Sequence, residues 1–130
     1  MSEVSLPWPP SELSPNSRIH WARKAKFAKG YKKACWALAK KAGLRVDWEG
    51  PVHVWLTFIP PDRRHRDHDN MIASAKYALD GVAQALGIND KRFVLHSRVQ
   101  EADGLGGCVM VEIAKAGAGD TAQEPMKEAA

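Results

Sequence analysis

GPVHVWLTFIPP, residues 50–61, decides the fold. Val52, Val54, Leu56 and Phe58 alternate with His53, Trp55, Thr57 and Ile59, the two-residue period of a strand, and Pro60 and Pro61 end it by withholding the N–H groups a ladder needs. Beyond the polar run DRRHRDHD, Ile72, Ala75, Leu79, Val82 and Leu86 recur at three and four residues. That spacing predicts an amphipathic helix over 70–86, closed by Gly87. INDK then leads into a second alternating segment, RFVLHSRVQ, and DGLGG turns the chain into a third, CVMVEIA. These last two are expected to pair as an antiparallel hairpin.

Upstream of the deciding strand, Phe27, Tyr31, Ala34, Leu38 and Ala42 mark one stripe of a long helix from about Ile19 to Ala42, with Gly43 as its stop. Before it, VSLPWPP reads as a short edge strand followed by the loop SELSPNS. The order β-α-β-α-β-β predicts a single compact α+β domain over 1–113, a mixed sheet covered by two main helices. Residues 114–130 lack periodicity and large apolar side chains and read as a disordered tail.

A chain of 130 residues can bury one core without disulfides. Cys35 and Cys108 lie far apart, the start MSEVSLPWPP has neither a basic nor an apolar leader region, and no apolar run approaches membrane-spanning length, so a reduced cytoplasmic setting with no membrane partner is expected. The net charge is +4, and its distribution is uneven. From Leu13 to Val46 there is no Asp or Glu, while Arg18, Arg23, Lys24, Lys26, Lys29, Lys32, Lys33, Lys40, Lys41 and Arg45 supply 10 of the 19 basic residues. A cationic stretch without acidic partners suits the phosphates of a nucleic acid better than it suits a solvated helix face.

The chemistry concentrates in RRHRDHDN and in the IND that follows the second helix. Asp67 and Asp69, two apart in a segment read as extended, can point the same way, and Asp90 can join them if the helix crosses back over the sheet. Three carboxylates in one pocket repel unless a divalent cation neutralises them, and all-oxygen ligands select Mg²⁺, with Mn²⁺ as the substitute. Arg63, Arg64 and Arg66, with Lys91 and Arg92 beside Asp90, would hold a phosphate against that metal, and Arg18, Arg23, Lys24 and Lys26 would extend the grip. The bland reading of D-x-D-N is a helix cap whose acids pair with the neighbouring arginines, and Asp80 reads as an intrahelical partner of Lys76. His65 and His68 form no zinc-ligand set with the two cysteines. Phe93 is a candidate wedge into branched DNA.

Taken together, LSPNSRIHW, RDHDN, a lysine-bearing helix with ALDG, and LGIND before a closing strand pair resemble the RusA-like Holliday junction resolvases, small phage and bacterial crossover junction endodeoxyribonucleases. The likeness covers most of residues 6–113. It implies a magnesium-dependent endonuclease that resolves four-way DNA junctions by paired nicks during recombination and repair, acting as a homodimer in the bacterial host cytoplasm. The family's metal-binding aspartates fall on Asp67, Asp69 and Asp90. Its basic residue after D-x-D-N falls on Ala73 when counted forward and on Lys76 when counted back from Asp80; Lys76 is the assignment made. Asn89 departs from the pattern, since many relatives carry a further aspartate there. Two other readings are a non-catalytic phage protein that holds branched DNA, and a metal-dependent nuclease acting on flaps or RNA.

Overall fold

A computed structural model describes residues 2–115 and shows one α+β domain. The elements are β1 (Ser2–Pro7), α1 (Trp21–Ala42), β2 (Val52–Ile59), α2 (His68–Leu86), β3 (Phe93–Val99) and β4 (Cys108–Lys115), with single 3₁₀ turns at Ser11–Leu13 and Asp90–Arg92. The final strand therefore runs two residues past the expected domain boundary, through Ala114 and Lys115, and the rest of the expected tail lies outside the described residues. Among the described residues no helix is long and apolar enough to cross a membrane.

The four strands form one mixed sheet in the order β1-β4-β2-β3. The expected β3–β4 hairpin does not form: β3 pairs parallel to β2, with Val52 opposite Phe93 and Phe58 opposite Val99, and β4 inserts antiparallel between β1 and β2. The physical reason lies in the connections. α2 carries the chain back along the full length of β2, so β3 must restart beside Val52 and run parallel. The 100–107 segment then wraps over the far end of β2, where the Gln100 N–H donates to the Phe58 carbonyl at 2.8 Å and the Asp103 N–H to that of Pro60 at 3.4 Å. Gly107 is required at this crossing, because at φ +76° a Cβ would meet the Pro61 nitrogen and the Ile59 carbonyl oxygen at under 3 Å.

Val52, Val54, Leu56 and Phe58 face the helices and share one buried cluster with Val4 and Leu6 of β1, Val109, Val111 and Ile113 of β4, and both helices. Burying each such side chain stabilises the fold by roughly 1.5–3 kcal/mol relative to exposure. On α1 the buried positions are Tyr31, Cys35 and Ala39, whereas Ala34 and Ala42 of the expected stripe are exposed. The face is rotated toward α2, which α1 crosses closely at Gly81, where a Cβ would run into the Lys32 carbonyl oxygen and crowd the Trp36 nitrogen and the Cys35 Cβ. The Tyr31 hydroxyl donates to the Pro7 carbonyl at 2.6 Å and fastens α1 to the end of β1. α2 is buried over a wider face than its five periodic residues imply, adding Met71, Ser74, Ala78, Ala83 and Ala85.

Candidate metal centre and nucleic-acid interface

α2 begins at His68, two residues earlier than its apolar period suggests, because Asp67 caps it. The Asp67 carboxylate accepts the Asp69 N–H at 2.9 Å, which satisfies one of the donors a helix start leaves open. Asp69 thus sits in the first helical turn rather than in an extended segment. Asp67 and Asp69 both stand at the N-terminus of α2, and both side chains are exposed. The bland reading places the cap on Asp69 with Asn70, whereas Asp67 supplies it and Asp69 lies inside the first turn.

The ion-pairing half of that reading fails, because the neighbouring arginines pair elsewhere. Arg66 contacts Asp62 at 2.9 Å and Arg64 contacts it at 3.4 Å, and these are the only ion pairs among the described residues. The Arg64 N–H, donated at 2.9 Å, together with the Arg66 guanidinium holds the Asp62 carboxyl below the usual carboxylate range. Asp62 thus absorbs the local positive charge and leaves Asp67 and Asp69 without a cationic partner. Asp80 and Lys76 do not pair either. Lys76 is exposed seven residues after Asp69, about 20° short of two helical turns, so it projects from the same side of α2 roughly 10 Å along the axis.

Asp90 is not brought to this pair within one chain. It opens the 3₁₀ turn before β3, capped by Asn89, whose side chain accepts the Lys91 N–H at 2.9 Å. β3 starts opposite the first residue of β2, whereas Asp67 and Asp69 follow the last, so α2 stands between them. Its 19 residues span about 28 Å. Accordingly, no group of three His, Cys, Asp or Glu side chains close enough to hold a metal ion is found among the described residues. The oxygen donors of Asp67 and Asp69 suit a hard cation, but they supply only two of the three carboxylates.

The expected phosphate-binding residues divide by what holds them. Arg66 stacks over the Trp8 ring at 5.5 Å and donates to the carbonyls of Asp62 and Arg64, so it latches its own loop. Arg92 donates to the carbonyls of Trp48 and Gly50, and Lys24 to that of Ser14. Arg18, Arg23, Lys26, Arg63, Arg64 and Lys91 are exposed and can reach a phosphate. Phe93 is half-buried, with part of its ring packed against the core. His68 contacts the Ser97 hydroxyl at 3.1 Å and the Phe58 ring edge-on, tying the start of α2 to the sheet.

The sequence reading missed a cavity of about 760 Å³ beside Asp67. Its walls combine Trp8, Phe58 and Met71 with Ser14, Asn16 and Asn70, drawn from β1's exit, the 11–20 loop, β2 and α2. LSPNS was the available signal, but nothing local says that this loop packs on α2. Ser74 makes the connection, donating its hydroxyl to the Leu13 carbonyl at 3.4 Å.

No protein-family model matches the chain. An uncharacterized protein of Xylella fastidiosa is 41% identical over 116 residues, covering 87% of this chain and 76% of the relative. This chain belongs to the same family as that protein. The relationship carries no activity, so the reading of function rests on the residues themselves.

Proposed function

We propose that this protein is a magnesium-dependent, structure-selective DNA endonuclease of the RusA type that resolves four-way junctions by paired nicks. The observation that carries this reading is the pair Asp67 and Asp69, both exposed at the N-terminus of α2, with Asp67 lining the cavity, and without cationic partners among the described residues although three arginines stand within four residues of Asp67. A surface built only to bind phosphate gains nothing from such acids. Mg²⁺ bound there, with Mn²⁺ as substitute, supplies Lewis-acid polarisation of the scissile phosphate and lowers the pKa of the attacking water.

The residues do the remaining work. Asp67 and Asp69 orient the cation, and Lys76, on the same side of α2, offsets charge that develops on the phosphate. Water attacks phosphorus, the bond to the 3′ oxygen breaks, and the products are a 5′-phosphate and a 3′-hydroxyl. Arg63 and Arg64 flank the site, while Arg18, Arg23 and Lys26 grip the junction arms through phosphates. Asp90 enters as the third carboxylate from a second copy, since within one chain it lies past the far end of α2, a helix about 28 Å long that starts at the pair. A C₂ dimer then completes two sites at once and presents them to the two opposed strands of a junction. The setting is the cytoplasm of a bacterial host.

The test is a Mg²⁺-dependent cleavage assay on a synthetic four-way junction, linear duplex, flap, single strand and RNA, run for wild type and Asp69→Asn. Wild type should nick the junction preferentially and Asp69→Asn should bind without cutting. A junction bound but left intact across a range of Mg²⁺ and Mn²⁺ would sink the nuclease reading. Preferential cutting of flaps or RNA would displace only the junction assignment.

A further inference from the structure

The cavity beside Asp67 has features that cutting a phosphodiester does not itself require. Trp8, Phe58 and Met71 give it apolar walls, and its polar lining includes two carboxamides, Asn16 and Asn70. Trp8 is held in place from two sides. Phe58 meets its ring edge-on at 6.1 Å and 78°, and the Arg66 guanidinium lies over it, itself fixed by Asp62. The wall is thus pre-organised, so a ligand pays little to order it. At the rim stand Arg64 and His65, and the Ser14 carbonyl holds Lys24, which brings the basic first turn of α1 to the same edge.

We propose that this cavity receives one unpaired nucleotide of the branched DNA, its base against Trp8 and its phosphate toward Arg64 and His65. The chemistry selects this ligand in three ways. A base is a flat heterocycle that buries against an aromatic wall, and its edge presents adjacent donors and acceptors. Asn16 and Asn70 each offer a donor and an acceptor on one planar group, the complement such an edge needs. A volume of about 760 Å³ suits a small ligand. A base within intact duplex is stacked on both faces and cannot lay a face against Trp8. Only a nucleotide out of the stack fits, and such nucleotides occur where strands exchange at a branch. Its phosphate then lies beside Asp67, so the cavity selects for branched structure at the point where the proposed cut falls. This assignment rests on the nuclease reading for the source of the nucleotide, and on the cavity alone for its chemistry.

The experiment measures fluorescence-anisotropy affinities in EDTA for labelled oligothymidine, four-way junction and linear duplex, using the full chain. Asn16→Trp plugs the cavity from its exposed rim, and Asn16→Ala removes one amide without adding bulk. Both are checked for wild-type thermal melting; if the plug melts early, Asn70→Ala replaces it. The plug should weaken oligothymidine and junction binding about ten-fold or more, the size of one lost base–aromatic contact, and leave duplex affinity within about two-fold, because duplex binds through phosphates. The alanine variant should lose less, in the same order. Unchanged affinity for all three DNAs, or an equal loss for all three, would overturn the pocket. Displacement of oligothymidine by thymidine monophosphate at equal concentration would assign the cavity to free nucleotides instead. If Mg²⁺-dependent cleavage is present but the plug has no effect, only the pocket fails; if the plug acts and no DNA is cut, only the nuclease reading fails.

Discussion

Mixing two inactive variants should restore cleavage, and the amount follows from the fold. Carboxylates that share one Mg²⁺ must each bring an oxygen to within about 2.1 Å of it. Asp67 and Asp69 stand at one end of α2 and Asp90 just past the other. Nineteen residues of helix put about 28 Å between those ends, far beyond the reach of an aspartate side chain. If all three act together, each site combines Asp67 and Asp69 of one copy with Asp90 of another. Asp69→Asn and Asp90→Asn homodimers should then both be inactive. After exchange, about half the dimers are mixed, and each mixed dimer has one site with both lesions and one with none, so about a quarter of all sites are intact. The assay is a four-way junction labelled separately on each strand. The mixture should nick single strands at about a quarter of the wild-type rate and resolve few junctions, because paired nicks need two intact sites. A mixture as inactive as its components, with exchange verified by pull-down of differently tagged copies, would refute the shared site. Full activity of Asp90→Asn alone would remove Asp90 from the chemistry.

Three further outcomes are expected. Asp67→Ala should lose the cap to Asp69 and destabilise the fold by about 1 kcal/mol, seen as a lower urea midpoint; Asp67→Asn keeps a cap and should lose cleavage without that shift. Gly81→Ala places a methyl against the Lys32 carbonyl. It should destabilise by roughly 1–3 kcal/mol in urea unfolding, even though alanine is the better helix former by about 1 kcal/mol. Partial burial, with the His53 ring 2.9 Å away, holds the His96 pKa below its ordinary 6.5. The folded state therefore resists the proton that the unfolded chain accepts, so stability is full above 6.5 and declines as pH falls below it. Melting temperature should drop between about pH 7 and pH 5 in wild type and drop less in His96→Asn.

How far each part could be read from the sequence depended on whether its determinants are local. The period of Val52–Phe58 and the steps of three and four from Ile72 to Leu86 require only neighbours along the chain, and they predicted the strand and helix at those places. Gly43 and Gly87 ended both helices in left-handed conformations, as their positions suggested. The pairing of β3 was another matter, since alternation places a residue on a face and says nothing about which strand lies alongside. Length of connection settled it: α2 returns the chain to the start of β2, and 100–107 wraps over the other end. The α1 face shifted for a related reason, because apolar period alone could not anticipate a contact with Gly81 on another helix.

The candidate site divides along the same line. Charge and spacing picked out Asp67, Asp69 and Asp90 as chemically unusual; Asp67 caps α2, Asp69 lies in its first turn and not in an extended segment, and Asp90 opens the 3₁₀ turn before β3. Their relative placement was decided by the parallel register of β2 and β3, which sends Asp90 to the far end of α2. Which arginines are held was partly a tertiary matter: Arg92 is fixed by the Trp48 and Gly50 carbonyls and Arg66 by the Trp8 ring as well as by nearby Asp62, whereas Arg64 keeps an exposed side chain beside Asp62. The Trp8 cavity exists only because the 11–20 loop packs on α2 and β2. Residue type and local spacing determined by themselves what chemistry the chain can offer. Long-range packing decided which of those groups meet, because contacts between distant segments depend on connection length and register, and neither is written in any short stretch of sequence.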